Sequence, residues 1–520
     1  MNAFVQRHAD HVTGMLSGFD RIRFRGTSLL LANVAGLASL LSYLSVLLKD
    51  FGAVVQGWSD NLRAASMRAA LEAGRPVQYL PVKRGSKEEV ALQIARADGI
   101  EKGLICVLTA VEPCMSFEVR GDRASGHLVL KPALRKCLHL YHYFMHEELG
   151  FCNVRVQSWL PFNIHVCING REMLAREMDR AGIAYQRADN CFARVSDVDK
   201  TQLLFNQQLN RDWSSTLDRL LEQAHPGRRT MLGGWVPEYY WSMQESEWAS
   251  DVMFRNRAVL AQMYPKLIRQ GMIGLSSGDV MRYLGKRVGP ENRRFGGEIS
   301  SDIKQRGEGM RIKHRLNSNS IKMYDKQGSV LRVETTINDP SDFKVYRRAG
   351  SDPQSKLAWR LLRKGVVDIK RRAQVCQAAN DRYLEAMASV ETSAALGELT
   401  APLCRSVPGK TKGERARGLN PLGDEDAQLL AAVARGEFAI NGFRNRDLRR
   451  LLYGPTPPDP KASRSQSSAA TRRIRLLRAH GLVNKVSRTH RYVLSDKGRR
   501  TITAILAART ANASKLLQAA

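Results

Sequence analysis

Between residues 104 and 168 the chain runs through short apolar or alternating stretches, each closed by turn-forming residues. Residues 104–109 form an apolar run ending in Thr109, and 115–120 faces 127–130 across the turn-prone 121–126; 137–144, 153–159 and 164–168 follow. Stretches this short with such brief connections pair antiparallel as a meander. Asn169-Gly170 closes the last of them, and 171–181 then carries the spacing of an amphipathic helix ending at Gly182. A second set of strands is expected at 311–315, 320–324 and 330–337, with a helix over 357–390. The pattern is α+β: antiparallel sheets with packed helices.

Around this core the composition shifts. Residues 1–100 read as a largely helical N-terminal region, and 101–395 as the α+β core with a helical insertion near 197–287. Residues 396–424, rich in Gly, Lys, Arg and Pro, read as a basic flexible linker, and 425–520 as a separate module. Residues 29–48 carry no charge and are long enough to span a bilayer. Asn33, Ser39, Ser42 and Ser45 dilute them and no second span follows, which favours a buried core helix and disfavours a membrane partner. The eight cysteines form no CxxC pair, so a zinc ribbon or disulfide scaffold is disfavoured; core thiols in a reducing cytoplasm are expected.

Charge names a class of partner. Lys and Arg number 81 against 50 Asp and Glu, a formal net charge of +31. A field of that size attracts polyanions, with nucleic acid (DNA or RNA) first and an anionic membrane second, and disfavours an ordinary enzyme of neutral substrates. The excess is uneven: residues 405–520 hold 24 Lys and Arg against 8 Asp and Glu, a net +16, and the other 404 residues hold +15. Within 426–506 a short helix is followed by a second at 446–452 and a Pro/Ser-rich connection at 454–468. A third helix, capped by Ser468 or Thr471, runs to His480 with Gly481 as its stop. Strands then flank a basic tip at 487–490, and a terminal helix starts at 496–498.

That segment, notably "RLLRAHGLVNKVSRTHRYVLSDKGRR", resembles the MarR-like winged-helix family. The resemblance implies a C-terminal winged helix-turn-helix domain with its third helix in the major groove and its wing on the backbone or minor groove. By position it would face Arg472, Arg473 and Arg475 to the groove and put Arg488, His490 and Arg491 on the wing; with Arg478, which also projects away from the buried face, these are the candidate nucleic-acid-binding residues.

The central stretch "SNSIKMYDKQGSVLRVETTIND" forms two strands and a tight turn. Period two places Arg332, Glu334 and Thr336 on one face, with Tyr324 and Lys326 ending the neighbouring strand. A tyrosine, a lysine and a carboxylate suit phosphodiester transesterification: the hydroxyl attacks phosphorus, the lysine offsets charge and the carboxylate helps hold a divalent ion, Mg2+ or Mn2+. Tyr324, Lys326, Arg332 and Glu334 are therefore the candidate catalytic residues, and Glu334, Glu112 and Asp302 the candidate metal ligands.

The stretch is similar to the "IYDK … LRxE" signature of replication initiators of rolling-circle plasmids and filamentous phages. That similarity covers about twenty residues, and the His-hydrophobic-His metal pair often found in such enzymes or their relatives is missing. More broadly, residues 18–342 resemble a group of uncharacterised bacterial proteins associated with multicopy or mobile elements, through "GFDRIRFRGT", "VEPCMSFEVR", "LPFNIHVCINGRE" and "SEWASDVMF".

Other constellations have plain structural explanations. Asp20 among Arg21, Arg23 and Arg25 is either a metal ligand beside phosphate-binding arginines or, as favoured, a salt-bridged loop. Tyr141–Phe144 and Tyr239, Tyr240, Trp241 and Trp248 read as packing more than as base platforms. The stretch 275–285 is a generic amphipathic helix or a second helix-turn-helix. There is no GxxxxGK[ST], GxGxxG or HExxH, so a nucleotide-driven motor has no support. The expectation is a DNA- or nucleic-acid-binding protein of mobile-element type, with strand nicking or joining through a tyrosine as its chemistry. The alternative is a non-enzymatic winged-helix transcriptional regulator or RNA-binding protein.

Overall fold

Sixteen residues expected to be helical, Val12–Thr27, form a strand at the centre of a large sheet. In this computed structural model, residues 2–510 are described apart from 82–84, 231, 233–234, 276, 286–297, 307–308, 351, 353, 389–395, 409–414, 436–437, 439–441 and 487–488. The chain divides into a core unit (Met1–Ala261, Ile303–Lys313, Ser318–Arg382) and a C-terminal unit (Gln262–Asp302, His314–Asn317, Tyr383–Ala520).

The fold is mixed α and β, with strands β1 (Val12–Thr27), β2 (Val77–Tyr79), β3 (Gly103–Gly121), β4 (Leu128–His146), β5 (Gly150–Gln157) and β6 (Ile164–Asn169). There follow β7 (Tyr185–Ala188), β8 (Cys191–Val195), β9 (Tyr240–Phe254), β10 (Ile299–Arg306), β11 (Gly309–Leu316), β12 (Asn319–Lys326) and β13 (Val330–Ile337). The eleven-stranded sheet runs β10-β11-β12-β13-β9-β1-β6-β5-β4-β3-β2. From β12 to β3 each neighbour is antiparallel, and β2 joins β3 in parallel. The expected meander is present: β3 folds onto β4 with Gly121 opposite Leu128 and Val119 opposite Leu130.

β1 and β9 are the main departures from the helical expectation. Both lie inside the sheet with most positions buried, and Asp20, Glu247 and Asp251 are buried with them, while Arg21 and Arg23 stay partly exposed. A strand whose polar side chains point into a covered face loses the exposed-polar alternation that marks strands in a sequence. The uncharged stretch 29–48 also differs from expectation. Asn33 accepts from the Gly36 amide at 2.8 Å and starts the helix Val34–Tyr43, which ends well short of residue 48. No single helix among the described residues is long and apolar enough to cross a membrane; Val34–Tyr43 and Leu48–Glu72 pass only as a pair bent by 102°.

One face of the sheet packs on Trp213, Leu217, Leu220 and Leu221 of the helix Trp213–Ala224, under Phe24 and the apolar residues of β5 and β6. Further along, Arg372, Gln377 and Asn380 of Ile369–Ala388 tie β9 and β13 together. Asn380 Nδ2 donates to Trp248 O and Val333 O, and Arg372 donates to Met243 O and Ile337 O. Over β1, β9 and β13 the opposite face is covered by the helix Gly170–Arg180 and the β7–β8 hairpin, through Leu16, Leu174, Met178, Phe192, Met253 and Val330. A separate two-stranded hairpin, β14 (Lys344–Arg347) and β15 (Ala358–Leu361), follows the sheet.

The C-terminal unit has helices Asp424–Val433, Asn445–Tyr453, Pro460–Ala479 and Asp496–Thr510, and a three-stranded sheet. β16 (Val407–Pro408) pairs with β17 (Arg415–Ala416), and β18 (Phe443–Arg444), β19 (Val483–Lys485) and β20 (Arg491–Leu494) are ordered β18-β20-β19. The segment 396–424, expected to be a flexible linker, differs. It carries the helix Leu396–Cys404, and Leu403 and Leu419 are buried with Leu429, Phe443, Leu448 and Ile474. The long helix starts at Pro460, not at Ser468 or Thr471: Asp459 caps it and proline occupies its first turn, where a missing N–H costs nothing. Gly481, at φ 71°, ends it as expected.

Candidate functional site

The registers of β12, β13 and β9 assemble one polar face. Lys322 lies opposite Glu334, Tyr324 opposite Arg332, and Arg332 opposite Asp251. A shift of register between β1 and β9 at Phe19/Arg21 makes Asp20 the extra residue of a bulge, and its carboxylate joins the same cluster. The helix start at Gly170 closes the arrangement. A Cβ there would lie 2.1 Å from the Phe19 carbonyl oxygen, so glycine is required for Arg171 to reach inward.

Two linked networks result. In the first, Arg332 grips Asp251 with two hydrogen bonds of 2.6 and 2.8 Å, and Arg171 Nη2 donates to the same carboxylate at 2.7 Å. Asp20 lies 3.3 Å from Arg332 and 3.4 Å from Arg171 and accepts from Asn190 Nδ2 at 3.0 Å. Both arginines are fully buried, so two carboxylates and two guanidiniums cancel away from water. Burial acts to raise the Asp251 pKa, but Arg171 and Arg332 hold it below the usual range.

In the second network Tyr324 Oη donates to Glu334 Oε2 at 2.6 Å, and Lys322 Nζ donates to Glu334 Oε1 at 2.6 Å and to Glu247 Oε1 at 3.0 Å. Arg21 and Glu247 are 3.2 Å apart, and Arg21 and Arg23 both reach Glu245. Burial, then the Glu334 charge, pushes the Tyr324 hydroxyl well above its ordinary pKa. Glu334 is held at about 2: burial opposes ionisation, but Lys322 and Arg332 outweigh it. The resting pair is therefore a neutral tyrosine on a carboxylate.

Of the four residues expected to be catalytic, Tyr324, Arg332 and Glu334 come together. Lys326 differs: its ammonium is 5.9 Å from the Tyr324 ring centre but pairs with Asp189 at 2.9 Å. The lysine on Glu334 is Lys322, missed in the sequence although two residues from Tyr324 on the same strand face. Asp251, Arg171 and Glu247 come from segments read as helical or carried no signal of their own. Asp20 does form salt bridges, on a strand rather than a loop.

Of the expected metal ligands, Glu334 and Glu112 lie far apart along the sheet. Glu334 on β13 and Glu112 on β3 are six strand spacings apart, roughly 29 Å. Glu112 instead accepts from Tyr141 Oη and is paired with Lys87 at 3.3 Å and Arg155 at 3.1 Å, while Asp302, in the C-terminal unit, is 3.7 Å from Arg315. Among the described residues no group of three His, Cys, Asp or Glu side chains is arranged to hold a metal ion. His142, Tyr143, Phe144, Trp241 and Trp248 are buried, in keeping with packing, Tyr141 and Tyr239 are half-buried, and Tyr240 is exposed, against that expectation.

In the C-terminal unit, Ala470, Ile474 and Leu477 form the buried stripe of Pro460–Ala479. Arg472 and Arg475 are exposed on its other side. Arg473 pairs with Glu425 and lies over Tyr453, and Arg478 lies 6.0 Å from the Tyr492 ring centre. His490 is exposed before β20 and Arg491 is half-buried at its start; Arg488 lies outside the described residues. Comparison with protein-family models, curated proteins and solved structures finds no match to this chain.

Proposed function

We propose that the chain is a DNA-binding protein of mobile-element type that engages duplex through a winged-helix module in its C-terminal unit. The observation that supports this most is the long helix Pro460–Ala479, with an apolar stripe on one side and exposed Arg472 and Arg475 on the other, followed by the β19–β20 hairpin. In a winged helix such a helix enters the major groove, and phosphate contacts supply most of the affinity. Binding of the full chain to duplex DNA, followed by mobility shift at rising salt, is expected to weaken steeply. Absent or salt-independent binding contradicts this function.

Strand nicking by the core unit is a second reading, favoured by the Tyr324 hydroxyl resting on Glu334 with Lys322 on the other oxygen. In this chemistry Tyr324 Oη attacks phosphorus, its proton passes to Glu334, the P–O bond to the leaving strand breaks and that oxygen takes a proton from water, and Lys322 offsets the phosphate charge. A divalent ion has no ready-made set of ligands among the described residues, so no step is assigned to one. Nicking assays with Mg2+ or Mn2+ test it: cleavage lost in Tyr324→Phe supports the tyrosine, and equal cleavage eliminates it. A wild-type chain that binds but never cleaves is a non-enzymatic regulator or RNA-binding protein.

A further inference from the structure

The β14–β15 hairpin leaves its aromatic side chains uncovered. Tyr346 and Trp359 are direct cross-strand partners with ring centres 5.7 Å apart, yet they are 57% and 62% exposed. Leu361, opposite Lys344 on the same face, is exposed as well. The other face is the packed one: Val345 and Arg347 are buried, and Arg347 donates to the Leu361 carbonyl at 3.0 Å. Two large rings side by side in water add nothing to the core, and a solvent-facing aromatic patch is informative where a scattered apolar residue is not. The surroundings are cationic: residues 344–364 contain seven Lys and Arg against one Asp, and although Arg347 is buried and Arg363 pairs with Asp368, Lys344, Lys356 and Lys364 are exposed. Burial, and after it the neighbouring Arg363, lowers the pKa of Arg347, a sign of crowded positive charge.

We propose that this hairpin is a stacking platform for single-stranded nucleic acid, with one base on Tyr346, one on Trp359, and the backbone held by the surrounding Lys and Arg. Every base offers a flat face, so such a platform is tolerant of sequence, and the cations follow the phosphates. A wholly protein partner would leave the charge excess unanswered; a polyanion of flat bases answers both features. The site is distinct from the C-terminal module and stands without it.

The test uses the full chain and a short oligothymidylate, read by anisotropy and by quenching of tryptophan fluorescence. Trp359→Ala and Tyr346→Ala are each expected to lower single-strand affinity about 10-fold, Trp359→Ala also removing quenching, while Trp359→Phe retains most of the affinity. Duplex binding is expected to be unchanged in these variants, and Arg472→Ala to leave single-strand binding intact, so this inference and the winged-helix function fail separately. Unaltered oligothymidylate binding by Trp359→Ala overturns the platform. So does a change in oligomeric state by sedimentation with no loss of binding, which would assign the face to a second copy of the chain.

Discussion

Arginine has opposite consequences in the two units. In the core unit Arg171 and Arg332 are sealed from water against Asp20 and Asp251, and their charge disappears into neutral networks that position strands and a helix. In the C-terminal unit Arg472 and Arg475 face solvent on a helix whose other side is apolar. The comparison teaches that net charge marks a binding surface only where it is left uncompensated. The two portions of +31 are nearly equal, but the C-terminal one comes from 116 residues and the other from 404.

The sharpest way to break this comparison is Asp251→Asn, which keeps the shape and leaves two buried guanidiniums with the single carboxylate of Asp20. Losing one partner of a buried pair costs about 3–5 kcal/mol, and denaturant unfolding of the full chain is expected to show a loss of that order. A cost below ~1 kcal/mol would mean that the network behaves like a surface ion pair.

Acid comes next. His225 is buried near His142, its ring nitrogens have no hydrogen-bond partner among the described residues, and burial lowers its pKa to about 3. A histidine depressed in the folded state contributes stability that is complete above its unfolded pKa and is lost as pH falls below it towards the folded value. From pH 6.5 to 5 this removes up to about 2 kcal/mol for one such group. His225→Leu is expected to flatten that part of the pH dependence of thermal stability, and an unchanged profile would place the sensitivity elsewhere.

The smallest effect is expected at the C-terminal surface. Arg473 and Glu425 form a partly exposed pair, so Glu425→Ala is expected to cost at most about 1 kcal/mol by the same unfolding assay. A larger loss would blur the contrast between the units.

Legibility in the sequence followed the same divide. The β3–β4 hairpin, the helix after Asn169-Gly170 and the stop at Gly481 were readable because turns, caps and alternating faces leave local marks. β9 was not, because Glu247 and Asp251 are buried against partners far along the chain, and such pairing has no local period; the alternation of Arg21, Ile22, Arg23 and Phe24 in β1 was within reach and was missed. Tyr324, Arg332 and Glu334 were found from strand alternation. Lys322 was within reach of the same rule, while Asp251 and Arg171 needed the three-dimensional register. The start of the long helix was signalled by Asp459-Pro460, but the Ser-rich stretch after it disguised a helix as a connection.

The claim that uncompensated arginines of the C-terminal unit carry DNA binding is tested most directly by measuring duplex affinity against salt for wild type and for the double variant Arg472→Ala/Arg475→Ala. If both side chains contact phosphate, the slope of log affinity against log salt is expected to fall by about 1.8 and affinity at moderate salt at least about 10-fold, with unfolding stability within about 0.5 kcal/mol of wild type. Identical affinity and slope would contradict the account.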